Sequence, residues 1–487
     1  MLSSSSTKPS YENHLKEWLQ SEKQAVAFIQ AVSTLWFEHS IEVVLFRHQL
    51  VDKSVSEILS LHHQIQQTFS KDITIQLTTE IVTQMLSLTI APARIDIGRL
   101  ATEYINQKES SSVNEFISQQ LTTFIGEDKR VLVPKDVVLY GFGRIGRLAA
   151  RELITQTGKG EQLRLRAIVT RGNSDNEISK RAALLRTDSV HGSFAGTIIE
   201  DLENKCLILN GQVVHMLSAN SPDAIDYESY GIHNALIIDN TGASRDRDGL
   251  EKHLQAKGAT QVLLTAPGKG NIPNVVYGVN HEQFDGKNEK IVSAASCTTN
   301  AIVPILAVIK EKLGIVAGHI ETIHSYTNDQ NLLDNYHSKY RRGRSAALNM
   351  VITETGAAKA VTKIFPELIG KLTANAVRVP TPNVSLAILK MQVEKQVTKE
   401  EVNSLLKKAA LEGDLVEQIQ YAISNELVSS DLVGNPCASI YDSQATLVGD
   451  DGKNIVLYVW YDNEYGYTRQ VIRYAKHIAD VRRLMYY

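Results

Sequence analysis

Along the first 130 residues the apolar positions recur every three or four places. Val51, Val55, Ile58, Leu61, Ile65 and Phe69 fall on one face of a helix, and "AVAFIQAVSTLWF" and "LTTEIVTQMLSL" carry similar spacing. Turn formers are scarce there: of 29 glycines only Gly98 and Gly126 lie in this stretch, with two prolines, Pro9 and Pro92. The spacing predicts an all-α module of amphipathic helices over residues 1–130, its Met, Trp and Phe positions forming core rather than a ligand site. From about residue 131 short apolar runs alternate with helical stretches: "DVVLY", "RLAARELI", "LRAIVT", "KRAALLR", "ALIIDN", "GLEKHLQAKG", "QVLLTA" and "KIVSAA". That alternation predicts an α/β region with a parallel sheet and helices on both faces. "FIGEDKRVLVPKD" is the expected linker, and no repeat of solenoid length is present.

Composition narrows what such a chain does. At 487 residues, 43% hydrophobic and 22% charged, it can bury large cores and form more than one domain. A formal net charge of -3 gives none of the overall basic excess that marks a nucleic-acid binder, so no nucleic-acid partner is expected. Cys206, Cys297 and Cys437 are odd in number and far apart, which suggests neither a disulfide framework nor a paired-cysteine zinc site, and no metal is expected. Such cysteine usage fits a reducing compartment. The N-terminus "MLSSSSTKPSYENHLKEW" lacks a signal-like apolar core and carries acidic residues, and "IEVVLF" is too short to cross a bilayer. The expectation is a cytoplasmic protein with no membrane partner.

"DVVLYGFGRIGRLAARELI" places Gly141, Gly143 and Gly146 after a predicted strand and at the start of a predicted helix. Glycines there permit a tight turn and close backbone approach, while the helix start offers unpaired amides and a positive dipole to a pyrophosphate. Gly141, Gly143, Arg144, Ile145 and Gly146 are the candidate cofactor turn. The next strand, "LRAIVTRGNS", ends without the acid that usually holds the adenosine ribose, and offers Arg171 instead. An arginine there suits a 2′-phosphate, which favours NADP over NAD; the alternative is an exposed loop arginine with no cofactor role.

"SAASCTTNAIVP" puts Cys297 between a predicted strand and a helical run, a helix-start position that favours thiolate. "HIETIHSYTNDQ" places His324 at the end of another predicted strand, from which an imidazole can reach the sulfur. Considered alone, such a cysteine is more often buried structure than nucleophile. The surrounding motifs reverse that reading. "YGFGRIGR", "LLRTDSVHGSF", "DNTG", "ASCTTN", "HSYTNDQ", "RRGR", "TGAAKAV", "GKLTANAVRVPTPNVS", "VSSDLVG" and "WYDNEYGY" occur in the order found in phosphorylating glyceraldehyde-3-phosphate dehydrogenases, and the chain resembles them over roughly residues 134–487.

The resemblance implies a Rossmann-type dinucleotide-binding domain over residues 134–296, completed by the C-terminal helix 461–487, and an α+β catalytic domain over 297–460. It implies that Cys297 attacks an aldehyde, that the hemithioacetal is oxidised to a thioester, and that His324 serves as base and acid. The Cys297 amide would help hold the oxyanion. Inorganic phosphate then releases an acyl phosphate. One anion site, for the substrate's phosphate, falls on Thr327, Asp329 and Arg378; the second falls on Ser296, Thr298, Thr355, Gly356 and Arg342, with a helix cap as the plain reading of Thr355 and Gly356. Asp329, a carboxylate, would orient Arg378 or a water. Thr241 and Gly242 fall near the adenosine, Asn463 at the nicotinamide carboxamide, and Tyr467 beside the ring or in ordinary aromatic core. A homo-oligomer, a tetramer as in relatives, is implied.

Two departures stand out. Asn335 and Tyr336 replace the leucine and proline of NAD-using relatives, and the first 130 residues have no counterpart in most members. The resulting expectation is interconversion of glyceraldehyde 3-phosphate and 1,3-bisphosphoglycerate with NADP or NAD. Erythrose-4-phosphate dehydrogenase is the neighbouring reading, against which the second phosphate site argues. A binding or scaffold protein acting through residues 1–130 is the third, and the complete nucleophile–base set argues against it.

Overall fold

The structure, a computed structural model, describes residues 10–107 and 112–487. Residues 1–9, which belong to the stretch read for a leader, and residues 108–111 of the first module lie outside the described residues. Two compact units emerge, Met1–Leu132 with Arg482–Tyr487, and Val133–Val481.

The first unit is built mainly of helices, Tyr11–His39, Val55–Thr68, Ile75–Leu86, Ile97–Asn106 and Val113–Gln120. All but the first of these helices start on a side-chain cap: Ser54 and Ser112 form reciprocal capping boxes with Glu57 and Glu115, and Thr74 and Asp96 accept from the first-turn amides. Phe28, Trp36, Ile58, Met85 and Phe116 meet in one buried core. Trp18 and Phe37 stay on the surface of the first helix, contrary to the expectation that such positions are core.

The all-α reading of this unit is corrected by a four-stranded sheet in the order His48–Gln49, Glu42–Leu45, Ala93–Asp96, Leu484–Tyr486. Its two central strands are four residues long and buried at every position: Glu42–Leu45 is an apolar run after its first residue, whereas Ala93–Asp96 alternates apolar with charged residues yet buries both sets. Gly98 lets the chain pass the Phe46 ring, which would stand 2.6 Å from an added Cβ. The sheet's last strand comes from the far end of the chain, so the expected assignment of 461–487 as a whole to the dinucleotide domain is also corrected. An open sheet edge with unpaired backbone groups takes up residues 484–486.

The second unit holds two large sheets. One runs in the order Ile291–Ser293, Ala259–Leu264, Ala235–Asp239, Lys135–Tyr140, Leu163–Thr170, Gln212–Ser218, Cys206–Leu209, Ile198–Asp201. The first six are parallel, and the last two turn back antiparallel. This is the Rossmann-type sheet. Helix Tyr465–Ile478 returns to it and contributes Val471, Ile472, Tyr474 and Ala475 to its core. The other sheet has the path Val351–Thr353, Leu372–Val379, Ile315–Ser325, Ser385–Val393, Asn454–Tyr461, Ser439–Asp442, Ile419–Ala422. Helix Cys297–Leu313 packs its buried Ile302, Ile305, Leu306 and Ile309 against that sheet. Among the described residues no helix is long and apolar enough to cross a membrane.

Candidate active site

Cys297 opens helix Cys297–Leu313, and the turn that delivers it is held from several sides. Ala295 adopts a left-handed backbone, φ 54°, a conformation that L-residues keep only where their surroundings impose it. The Ser293 hydroxyl oxygen accepts from the Ala295 amide at 3.0 Å, Tyr467 donates its hydroxyl to the Ala295 carbonyl at 3.0 Å, and Asn300 donates to the carbonyls of Ala294 and Ser296. Ser296 caps the helix by accepting from the Thr299 amide. Sulfur thus sits at the positive end of a helix dipole.

His324 comes from the end of strand Ile315–Ser325 and stands opposite Arg378 on the neighbouring parallel strand. Its Nε2 lies 3.7 Å from Cys297 Sγ. On the other side of the ring Nδ1 lies 2.7 Å from the Ser325 carbonyl and 2.9 Å from an Arg378 guanidinium nitrogen, which itself donates to that carbonyl at 2.8 Å. Burial, then the Arg378 charge, pushes His324 down to about 3. Burial pushes the Cys297 thiol up, opposed by the Thr298 hydroxyl and the Arg378 charge. Both shifts favour the neutral thiol and the neutral imidazole in the free protein, and relief of the Arg378 charge would make the imidazole a better proton acceptor.

A cleft of roughly 620 Å³ joins this pair to the glycine turn: Arg144, Ile145, Ser296, Cys297, His324, Thr327, Arg378, Asn463 and Tyr467 line it. Gly141 has φ 94°, and a Cβ on Gly146 would overlap the Gly141 carbonyl, so the turn and helix Arg144–Thr155 close on each other only with glycine there. That helix has no side-chain cap at Gly143, and a Cβ on Gly143 would meet nothing within 4 Å. Open amides facing open space suit a pyrophosphate. Asn463 Oδ1 accepts from the Ser385 hydroxyl at 2.8 Å, which aims its amide nitrogen elsewhere and fits a carboxamide oxygen. A nicotinamide dinucleotide fits these residues.

Arg144 lines the cleft with its guanidinium already paired. Its guanidinium is held by Glu464 and by both oxygens of Asp188 at 3.1 Å, and His191 Nε2 lies 2.9 Å from the same Glu464. Two carboxylates neutralise it, so it ties the turn to the Asn463 segment. Thr241 donates its amide and hydroxyl to Asp239, and Gly242 follows with φ 60°. Arg171 is exposed and does not line the cleft. Three residues beyond Ser174, Glu177 folds back to accept from the Ser174 amide and hydroxyl and lies against Gly172, so an acid does stand near this loop.

The phosphate candidates separate. Thr327 and Arg378 share the cleft; Thr298, Asp329, Arg342, Thr355 and Gly356 are not among its lining residues. Asp329 pairs with Arg342 rather than Arg378, and Arg342 also donates to the Thr353 hydroxyl at 3.0 Å. Thr355 accepts from the Ala357 amide, and Gly356 precedes helix Ala357–Ile364, which matches the plain cap reading. Thr298 hydrogen-bonds the buried Tyr461 hydroxyl at 3.0 Å. Sequence reasoning overlooked Glu464, Asp188, His191, Asn240 and Arg245. All five but Arg245 lie inside quoted motifs, and nothing local marks Arg245 as a cleft residue.

The family models named "Glyceraldehyde 3-phosphate dehydrogenase, NAD binding domain" and "Glyceraldehyde 3-phosphate dehydrogenase, C-terminal domain" match residues 135–247 and 296–463. A "Glyceraldehyde-3-phosphate dehydrogenase-like protein" of Pseudomonas aeruginosa is 47% identical over 456 residues, 93% of this chain and 98% of its own length. This chain belongs to the glyceraldehyde-3-phosphate dehydrogenase family. A glyceraldehyde-3-phosphate dehydrogenase of Priestia megaterium is 40% identical over 339 residues, 70% of this chain and 96% of its own, and the chloroplastic A form of Zea mays is 42% identical over 340 residues, 70% of this chain and 81% of its own. The Pseudomonas match is longer than residues 133–487 together, so that relative extends into the first unit; the shorter matches fit the second unit alone in length.

Proposed function

We propose that this protein interconverts glyceraldehyde 3-phosphate and 1,3-bisphosphoglycerate through a thioester on Cys297. The observation that carries the reading is the 3.7 Å approach of Cys297 Sγ to His324 Nε2 in a cleft that also reaches the glycine turn. Neutral His324 takes the thiol proton as sulfur attacks the aldehyde carbon, and returns a proton when the acyl group leaves. The Cys297 amide at the helix start faces the developing oxyanion. A bound nicotinamide supplies the hydride acceptor; Asn463 orients its carboxamide and Tyr467, tied to Ala295, packs the wall beside it. Inorganic phosphate then attacks the thioester carbon, the C–S bond breaks, and acyl phosphate departs.

Arg378 and Thr327 are our candidates for the substrate's phosphate. The second phosphate falls to Ser296, Thr298, Thr355, Gly356 and Arg342, with Asp329 holding Arg342 until an anion competes for it. We favour NADP over NAD on the exposed Arg171 and on the lack of an acid in the last turn of its strand; Glu177, engaged in capping Ser174, is the residue that would oppose a 2′-phosphate. Large apolar side chains cluster on one exposed segment, Leu332, Leu333, Tyr336, Tyr340, Leu348 and Met350, with Tyr340 95% exposed. Such a patch supports self-association, a tetramer by family likeness. The free cysteines support a reducing, cytoplasmic setting.

The deciding assay follows cofactor reduction with glyceraldehyde 3-phosphate and with erythrose 4-phosphate, each with and without inorganic phosphate, using NADP and NAD. Phosphate-dependent turnover of the triose is the expected result. Phosphate-independent oxidation of erythrose 4-phosphate would replace this reading with the erythrose-4-phosphate one, and absence of turnover with both aldehydes would leave the scaffold reading.

A further inference from the structure

Residues 482–487 belong to the first unit, although they follow the second in the chain. Leu484–Tyr486 adds as a parallel strand to Ala93–Asp96, with Leu484 opposite Ala93 and Tyr486 opposite Ile95, and the Leu484 amide donates to the Pro92 carbonyl at 3.0 Å. Main-chain pairing of this kind is how an extended peptide is taken up by a sheet edge, with side-chain pockets setting which peptide fits.

The pockets here are specific. Arg483 is buried: its Nε donates to the Ser40 carbonyl at 2.8 Å, and its guanidinium lies 4.7 Å over the Trp36 ring. It shares the buried Glu42 carboxylate with Arg94, at 3.8 and 3.6 Å. On the other face of the strand Leu484 and Tyr486 pack against the unit's core, the Tyr486 ring edge-on to Phe124 at 5.9 Å and its hydroxyl donating to Glu103. Arg130 donates to the Arg482 carbonyl at 2.8 Å. A buried carboxylate demands cations, and an arginine seated on a tryptophan is a demanding fit, so the site discriminates among terminal sequences.

We propose that the first unit is a peptide-binding module whose ligand is the chain's own C-terminus, an extended Arg-Leu-x-Tyr strand held noncovalently. The module keeps this ligand when the backbone between the units is cut.

The test uses the full chain with a protease site inserted between Val131 and Pro134, where Val131 and Val133 are 70% and 74% exposed. After complete cleavage, shown on a denaturing gel, the N-terminal fragment is expected to co-elute with the remainder on native gel filtration. Excess free peptide spanning residues 480–487 releases it, and Arg483→Ala in the cut protein weakens retention at least tenfold, with uncut Arg483→Ala checked for its wild-type far-ultraviolet dichroism. Peptide release needs no variant, so a folding defect in Arg483→Ala does not cloud the result. Separation of the wild-type fragments on cutting overturns the proposal, and so does retention that neither the peptide nor Arg483→Ala disturbs.

Discussion

Two glycines of one turn give a prediction that separates binding from folding. Gly143 has φ -76°, which alanine adopts without strain, and a methyl there meets nothing within 4 Å at the start of the helix. Stiffening the unfolded chain stabilises by about 0.4–1 kcal/mol, and alanine is a poorer N-cap than glycine by a similar amount. Gly143→Ala is therefore expected to leave thermal stability nearly unchanged while blocking close approach of a pyrophosphate. A tenfold loss of cofactor affinity, about 1.4 kcal/mol, is the expected minimum. Gly146→Ala acts differently. Its methyl overlaps the Gly141 carbonyl, a backbone atom that cannot swing away, so turn and helix must part. Overpacking of that kind costs about 1–3 kcal/mol, and each kcal/mol lowers Tm by roughly 2–4 °C in a folding unit of about 150–250 residues and by less in a larger one. Calorimetric unfolding of the free variants, with titration of NADP and NAD into each, measures both quantities. If Gly143→Ala binds both cofactors within about twofold of the parent, the turn is not the pyrophosphate site.

Cys297→Ser is expected to lower kcat by about a thousandfold or more while cofactor affinity stays unchanged; steady-state rates and cofactor titration check it. His324 stays neutral in the folded state well below its ordinary value, held down to about 3, whereas the unfolded chain protonates it below about 6.5. The unfolded state then binds the extra proton, so stability falls as pH drops from 6.5 toward 3; between pH 6.5 and 5 the loss is about 1–2 kcal/mol, and urea unfolding of His324→Asn should lack it. For Glu464 burial raises the carboxyl, but His191 and Arg144 outweigh it and hold it low, so its contribution is present above its ordinary range and disappears as pH falls. Glu464→Gln should cost about 1–3 kcal/mol at pH 7 and show a shallower acid limb in calorimetry. Arg378 lies on the Nδ1 side of His324, nearer the imidazole than the sulfur, so an anion seated on it should favour proton transfer from thiol to imidazole. Inorganic phosphate is expected to speed alkylation of Cys297 severalfold at neutral pH, with no such response in Arg378→Gln.

What the sequence shows well is what short stretches decide. The runs "DVVLY", "LRAIVT", "ALIIDN", "QVLLTA" and "KIVSAA" all appear as parallel strands because each is apolar, brief and bounded by turn residues. Cys297 at a helix start and His324 at a strand end were likewise legible, each from a dozen neighbouring residues. The strand Glu42–Leu45 is not, because full burial erases the two-residue period and leaves a run that reads equally as helix; Ala93–Asp96 keeps the alternation, but over four residues that run straight into a helix.

Other polar groups draw their meaning from a partner hundreds of residues away, beyond the reach of any local motif. Arg144 in the glycine turn looks like a free cation for phosphate until Glu464, 320 positions later, takes its guanidinium. Arg483 looks like a solvated terminal residue until the Ser40 carbonyl, 443 positions earlier, accepts from it. In both cases residue type and local spacing fix only that a charge is present, while its meaning depends on which opposite charge or dipole the fold delivers. A charge that the fold has already neutralised positions the chain; one left facing a cleft, as Arg378 is, remains available to a ligand. Sorting the arginines of this family into those two groups therefore requires the long-range pairing, and motif order alone cannot do it.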